Sequence, residues 1–162
     1  MDTMNNLKLV KFGLEFGLID KDEVIAFAEK EILKEGNPDY FWIEVSMLSE
    51  KPVEDLISLI AEKVREPING YLGHPSPLNR KDMLAIFKLT YQKLLAGSIS
   101  TEVAMRATII EFRNSDELLI ENEHGEMHGL DYAYCDGIDQ GWSSIHDVKR
   151  DLLVFLKRYA ET

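Results

Sequence analysis

The chain has 162 residues, 45% apolar and 29% charged, enough for a hydrophobic core and too rich in Leu, Ile, Val and aromatic side chains for a disordered segment. A formal net charge of −11 disfavours nucleic acid and anionic membrane, which require basic patches, and leaves basic proteins, cations or solvent as partners. Its single cysteine, Cys135, admits no internal disulfide, no stretch approaches the ~20 apolar residues of a membrane span, and Met1 to Asn6 lacks the basic and then apolar run of a secretory signal, so a cytoplasmic location is expected.

In chain order, Leu7, Val10 and Leu14 keep a helical spacing up to Gly17. Asp20 and Glu23 then stand at the spacing of a capping box, in which each side chain satisfies a free backbone N–H at a helix start. Val24, Ala28 and Ile32 follow four apart, until Gly36 and Pro38 end a helix expected over 21–35. Tyr40, Ile43 and Met47 mark a short helix, and Pro52 suits the first turn of the next, whose buried stripe is Val53, Leu56, Ile57, Ile60 and Val64. Pro67, Gly70, Gly73, Pro75 and Pro77 predict a long loop over 66–79.

Asn79 is placed to cap a helix carrying Met83, Phe87, Thr90, Tyr91 and Leu94, with Gly97 to end it and Ser100 to start another. Val103 to Phe112 mixes helix formers (Ala104, Met105, Ala107) with strand formers (Thr108, Ile109, Ile110); helix is expected, with strand open as the alternative. Ser144 and Asp147 repeat the capping-box spacing before a last helix with one apolar face, Ile145, Val148, Leu152, Phe155, Leu156 and Tyr159, and with Lys157 and Arg158 complementing the helix dipole in its final turn. The expected fold is all-α: a single helical domain over 1–162, an irregular bundle or stacked helical hairpins, with an acidic loop region over 116–142.

The charge is unevenly placed. Residues 114–148 contain no Lys or Arg and nine acids, Asp116, Glu117, Glu121, Glu123, Glu126, Asp131, Asp136, Asp139 and Asp147, so this segment supplies −9 of the −11. The other 127 residues balance 18 bases against 20 acids. A local field of one sign steers a charged partner. Tyr132, Tyr134 and Trp142 are interleaved with Asp131, Asp136 and Asp139, and such a mixture suits a binding surface for a basic protein: rings act as desolvated anchors while carboxylates steer and pair with Arg or Lys. The alternative is that these rings turn inward as core.

The run Val10-Lys11-Phe12-Gly13-Leu14-Glu15-Phe16-Gly17-Leu18-Ile19-Asp20-Lys21-Asp22-Glu23-Val24-Ile25-Ala26-Phe27-Ala28 resembles the start of a family of small acidic helical bacterial proteins of unknown function. In that pattern an aromatic-Gly pair, a second Gly and a hydrophobic pair lead into a capped helix with an aromatic-Ala step. The resemblance covers about the first third, continues more loosely through Val53 to Val64, and is echoed at Gly141-Trp142. Such proteins are similar to the immunity proteins encoded beside secreted bacterial toxins, and the resemblance implies a basic toxin as partner. By steric reasoning Gly13 and Gly17 serve the close packing of two helix ends.

His124 and His128, with Asp131 three further on, share a helical face and define a second reading, a metal-dependent hydrolase. Gly125 stands where metalloproteases carry Glu, and Gly125 and Gly129 weaken a helix there, which favours loop histidines. Asp131, Asp136 and Asp139 lack the ligand spacing of a calcium loop. Cys135 has no basic neighbour to favour its thiolate, and His74 and His146 have no local catalytic partner. The expectation is therefore a non-catalytic binding protein without cofactor that holds a basic protein through Asp131, Tyr132, Tyr134, Asp136, Asp139 and Trp142. A self-assembling helical module is a third possibility.

Overall fold

Among the described residues the apolar stripes become eight α-helices, and there is no strand. The computed structural model describes residues 3–34, 36–66, 78–110, 112 and 119–161. The Pro/Gly-rich stretch expected as a loop over 66–79 falls largely outside them. No described helix is long and apolar enough to cross a membrane.

The chain forms two compact units, Met1–Gly70 and Tyr71–Thr162. In the first, α1 (Leu7–Glu15) packs on α4 (Val53–Val64) and α2 (Lys21–Lys34) on α3 (Tyr40–Ser46). The α4 stripe buries Leu56, Ile57 and Ile60, as its spacing predicts, with Ala61 beside them, while Val53 and Val64 at its ends are half-buried. Each fully buried Leu or Ile contributes about 1.5–3 kcal/mol. Lys21 Nζ donates to the carbonyls of Ser49 (2.6 Å) and Lys51 (2.8 Å), which ties the start of α2 to the turn between α3 and α4. Helix α1 is buried continuously from Leu9 to Leu14, Lys11 included, and the Lys11 ammonium meets Glu15 at 3.0 Å one turn on.

In the second unit, α5 (Arg80–Leu95) lies along α8 (Ile145–Ala160), and Phe87 is central: its ring meets Phe112, Phe155 and Tyr159 at centroid distances of 6.0, 5.7 and 5.1 Å. Val103 to Ile110 is helical, α6 (Thr101–Met105) passing into a π-helical turn at Arg106–Ile110 that buries Ala107, Thr108 and Ile109.

One turn design is used three times. Gly17, Gly97 and Gly141 have φ of +74°, +72° and +78°, and each is followed by two residues and then the residue that opens the next helix, Asp20, Ser100 or Ser144. The residue after each glycine donates its N–H back across the helix end: Leu18 to the Gly13 carbonyl (2.7 Å), Ser98 to Lys93 (2.9 Å), Trp142 to Gly137 (3.1 Å). This is the left-handed helix stop in which glycine carries no Cβ penalty. In the first and third copies the accepting residue is itself glycine, and its carbonyl takes a second bond, from Ile19 (3.0 Å) or Ser143 (3.0 Å). The approach requires glycine: a Cβ on Gly13 would lie 2.5 Å from Ile19 Cδ1, and one on Gly137 would lie 2.8 Å from Ser143 Cβ.

The acidic stretch departs from the loop expected over 116–142. From Glu121 to Tyr132 it forms α7, which continues as a π-helical turn over Ala133–Gly137. Gly125 and Gly129 each cost about 1 kcal/mol relative to alanine in a helix. Against that cost, Met127 and Leu130 bury themselves three apart, and the Glu123 carboxylate caps the helix start by accepting the Ile120 N–H at 3.0 Å. Tertiary packing outweighs the local preference.

Candidate functional site

The described acids of 114–148 separate into two groups by their partners. Asp116, Glu117 and the side chain of Glu121 lie outside the described residues. Glu123 is buried and accepts two hydrogen bonds from the Arg80 guanidinium (2.9 and 2.8 Å) and one from the Tyr159 hydroxyl (2.8 Å). Burial pushes its carboxyl pKa up, but the Arg80 fork, the Ile120 N–H and the Tyr159 hydroxyl together prevail and hold it at about 2. Burial and the bond to Glu123 raise the Tyr159 hydroxyl in turn.

Glu126 is engaged by both prongs of Arg158, Nη1 to Oε1 at 2.8 Å and Nη2 to Oε2. The Arg158 bond holds the Glu126 carboxyl below its usual range. Ser144 caps α8 by accepting the Asp147 N–H (3.1 Å), and the Asp147 carboxylate accepts from the Ser144 hydroxyl (2.9 Å) and pairs with Arg150 (3.1 Å). Three arginines from outside the segment thus neutralise part of its field. A cleft of about 680 Å³ opens over Arg80, Glu123, Glu126, Arg158 and Tyr159. Its carboxylates are consumed by forks and its tyrosine is a donor to one of them, so its polar groups serve packing of α5, α7 and α8.

Asp136 and Asp139 are different. Both are exposed, and neither forms an ion pair with a described residue. Two of the three interleaved rings meet. Tyr132, at the end of α7, and Trp142, after the left-handed Gly141, lie tilted against each other, 5.3 Å between centroids and 36° between planes. They remain 56% and 53% exposed. The indole is seated on Gly137: a Cβ there would come within 2.9 Å of its Cη2 and 3.0 Å of its Cζ2.

Tyr134 is the expected site residue that stands apart. It is half-buried, and burial, then the charge of Glu102, raises its hydroxyl while Arg106 opposes, which places it on the α6 side. Asp131 accepts the Cys135 thiol at 3.3 Å. His124 and His128 lie on α7, half-buried and exposed respectively, but no group of three His, Cys, Asp or Glu side chains converges as a metal ion would require among the described residues.

Sequence reasoning missed the Arg80–Glu123–Tyr159 cluster. One signal was present: Glu123 stands three residues after Ile120, the residue that caps α7, the position from which a glutamate reaches back to the first free N–H. The two glycines that follow made the helix itself hard to see. The chain matches no protein-family model, no curated protein and no solved structure.

Proposed function

We propose that this is a non-catalytic binding protein that holds a basic protein against the face formed by Tyr132, Trp142, Asp136 and Asp139, and that neutralises that partner as an immunity protein does. The observation that carries the reading is two half-exposed rings in tilted contact, with two exposed carboxylates close by in the chain that no described cation pairs. Exposed aromatic anchors of this kind dominate interface energetics, and unpaired surface acids raise the association rate of a basic partner. The resemblance of Val10–Ala28 to a family of small acidic helical proteins, which in turn look like immunity proteins, supports a toxin as that partner.

The test is affinity capture from source-cell lysate with the tagged protein, washed at low and high salt, against the double charge reversal Asp136→Lys/Asp139→Lys. One basic protein recovered in stoichiometric amount, with association slowed about tenfold by the reversal at low salt, is the expected result. A reversal that binds the captured protein as fast as the native chain would remove the acidic face from the account.

A further inference from the structure

Resting on that binding reading, we propose that the open face of Trp142 is the seat of an arginine side chain of the basic partner, in preference to a lysine. The same turn occurs at Gly17, where the residue in the position of Trp142 is Leu18, 1% exposed. That turn tucks its first residue into the core; the turn at Gly141 presents its first residue to solvent. Trp142 is also fixed there. Its backbone N–H is bonded to the Gly137 carbonyl, one edge of the indole lies on the missing side chain of Gly137, and Tyr132 lies against it.

The shape of the pair decides the class of cation. The two rings meet tilted, at 36° and 5.3 Å, so among the described residues they form no enclosed box, and the half-exposed indole is itself the flat surface on offer. A compact, strongly hydrated ammonium gains little from an open flat face, whereas a planar, weakly hydrated guanidinium stacks on it and still directs its N–H groups sideways. Asp136, next to the glycine seat, and Asp139, two residues beyond it, are exposed carboxylates that no described cation occupies. Two-pronged pairing with a carboxylate is a further property of arginine that lysine lacks.

The experiment compares acetylated, amidated octa-arginine and octa-lysine, equal in length and charge, by calorimetric titration of the full chain at about 150 mM salt, where general attraction is screened alike for both. Octa-arginine should bind at least about threefold tighter than octa-lysine. Trp142→Leu should bring that ratio to about one, while Asp136→Asn/Asp139→Asn weakens both peptides and leaves a preference. Gly137→Ala should reduce the ratio by displacing the ring, with helix content by circular dichroism unchanged. Equal affinities in the native chain, no detectable binding of octa-arginine, or a ratio that survives Trp142→Leu would each overturn the assignment. Loss of the ratio with the Asp136/Asp139 effect on the captured partner intact removes the arginine seat alone. A Trp142-dependent ratio with no basic partner captured removes the partner reading alone.

Discussion

Arg80 and Glu123, 43 residues apart in the chain, meet as a two-pronged fork, Nη1 to Oε2 at 2.9 Å and Nη2 to Oε1 at 2.8 Å, with the Tyr159 hydroxyl on the same carboxylate. Three elements, α5, α7 and α8, are thereby joined at one buried anion. The Glu123 carboxyl titrates at about 2 in the folded chain against an ordinary 4.5. A group depressed in this way contributes stability that is fully present above its unfolded pKa and is lost as pH falls through its folded one. The contribution is about 3 kcal/mol at neutral pH. Chemical denaturation as a function of pH should show that loss between about pH 4.5 and 2. Glu123→Gln should cost about 2–3 kcal/mol at pH 7 and flatten this part of the acid limb. An acid limb identical in native and variant chains would show that the fork does not discriminate folded from unfolded.

Lys11 is fully buried, and its partner Glu15 has a side chain only 3% exposed. Replacing the lysine by an apolar side chain of similar length leaves a buried carboxylate without this cation. Such losses cost about 3–5 kcal/mol, more than the pair itself contributes relative to an apolar replacement of both partners. Lys11→Met is therefore expected to lower the urea midpoint by an amount corresponding to at least about 3 kcal/mol. A change of less than about 1 kcal/mol would place the ammonium in contact with water.

The glycines should separate into three classes under alanine substitution. A Cβ at Gly125 or Gly129 meets nothing within 4 Å, and both lie inside α7, so each replacement should stabilise by about 0.5–1 kcal/mol. Gly97 also has open space, but its φ of +72° is a conformation that alanine adopts at a cost of about 1–2 kcal/mol. A methyl group on Gly13 would sit 2.5 Å from Ile19 Cδ1 and 2.6 Å from its Cγ1, and overpacking of this kind costs about 1–3 kcal/mol. Thermal denaturation of the four variants gives the order directly. A destabilised Gly125→Ala would show that the open side of α7 is covered.

Local chemistry was legible in the sequence, and contacts between distant residues were not. Asp20 with Glu23 and Ser144 with Asp147 are caps whose partners stand three residues apart, Asn79 caps α5 as its position predicts, and Gly17 and Gly97 announce their stops through the one property that glycine alone has. Interleaving with acids marks Tyr132 and Trp142 as surface rings, and their exposure agrees. Tyr134 is only two residues from Tyr132, and two residues apart on a helix do not share a face, so once this segment is helical the two rings part. The separation is hidden when the segment is read as loop. Helix α7 was hidden because its apolar side is narrow, Met127 and Leu130, and much of its stability comes from Arg80 and Arg158, which lie outside the segment.

The strongest contrast within the fold is between Leu18 and Trp142, which occupy the same position of the same turn and are 1% and 53% exposed. If Trp142 were a core residue in an imperfect position, removing it would destabilise the chain as removing Leu18 does. If it is displayed, its side chain contributes little to folding beyond its contact with Tyr132. Leu18→Ser deletes a buried branched side chain and inserts a hydroxyl, so it should cost about 3 kcal/mol or more. Trp142→Ser keeps the backbone bond to Gly137 and loses chiefly an exposed aromatic pair, about 0.5–1.5 kcal/mol. Urea denaturation of both variants measures the difference. Equal losses would make Trp142 a structural residue of the turn, and a wide gap would leave its large, rigid, half-exposed ring as surface that folding does not require.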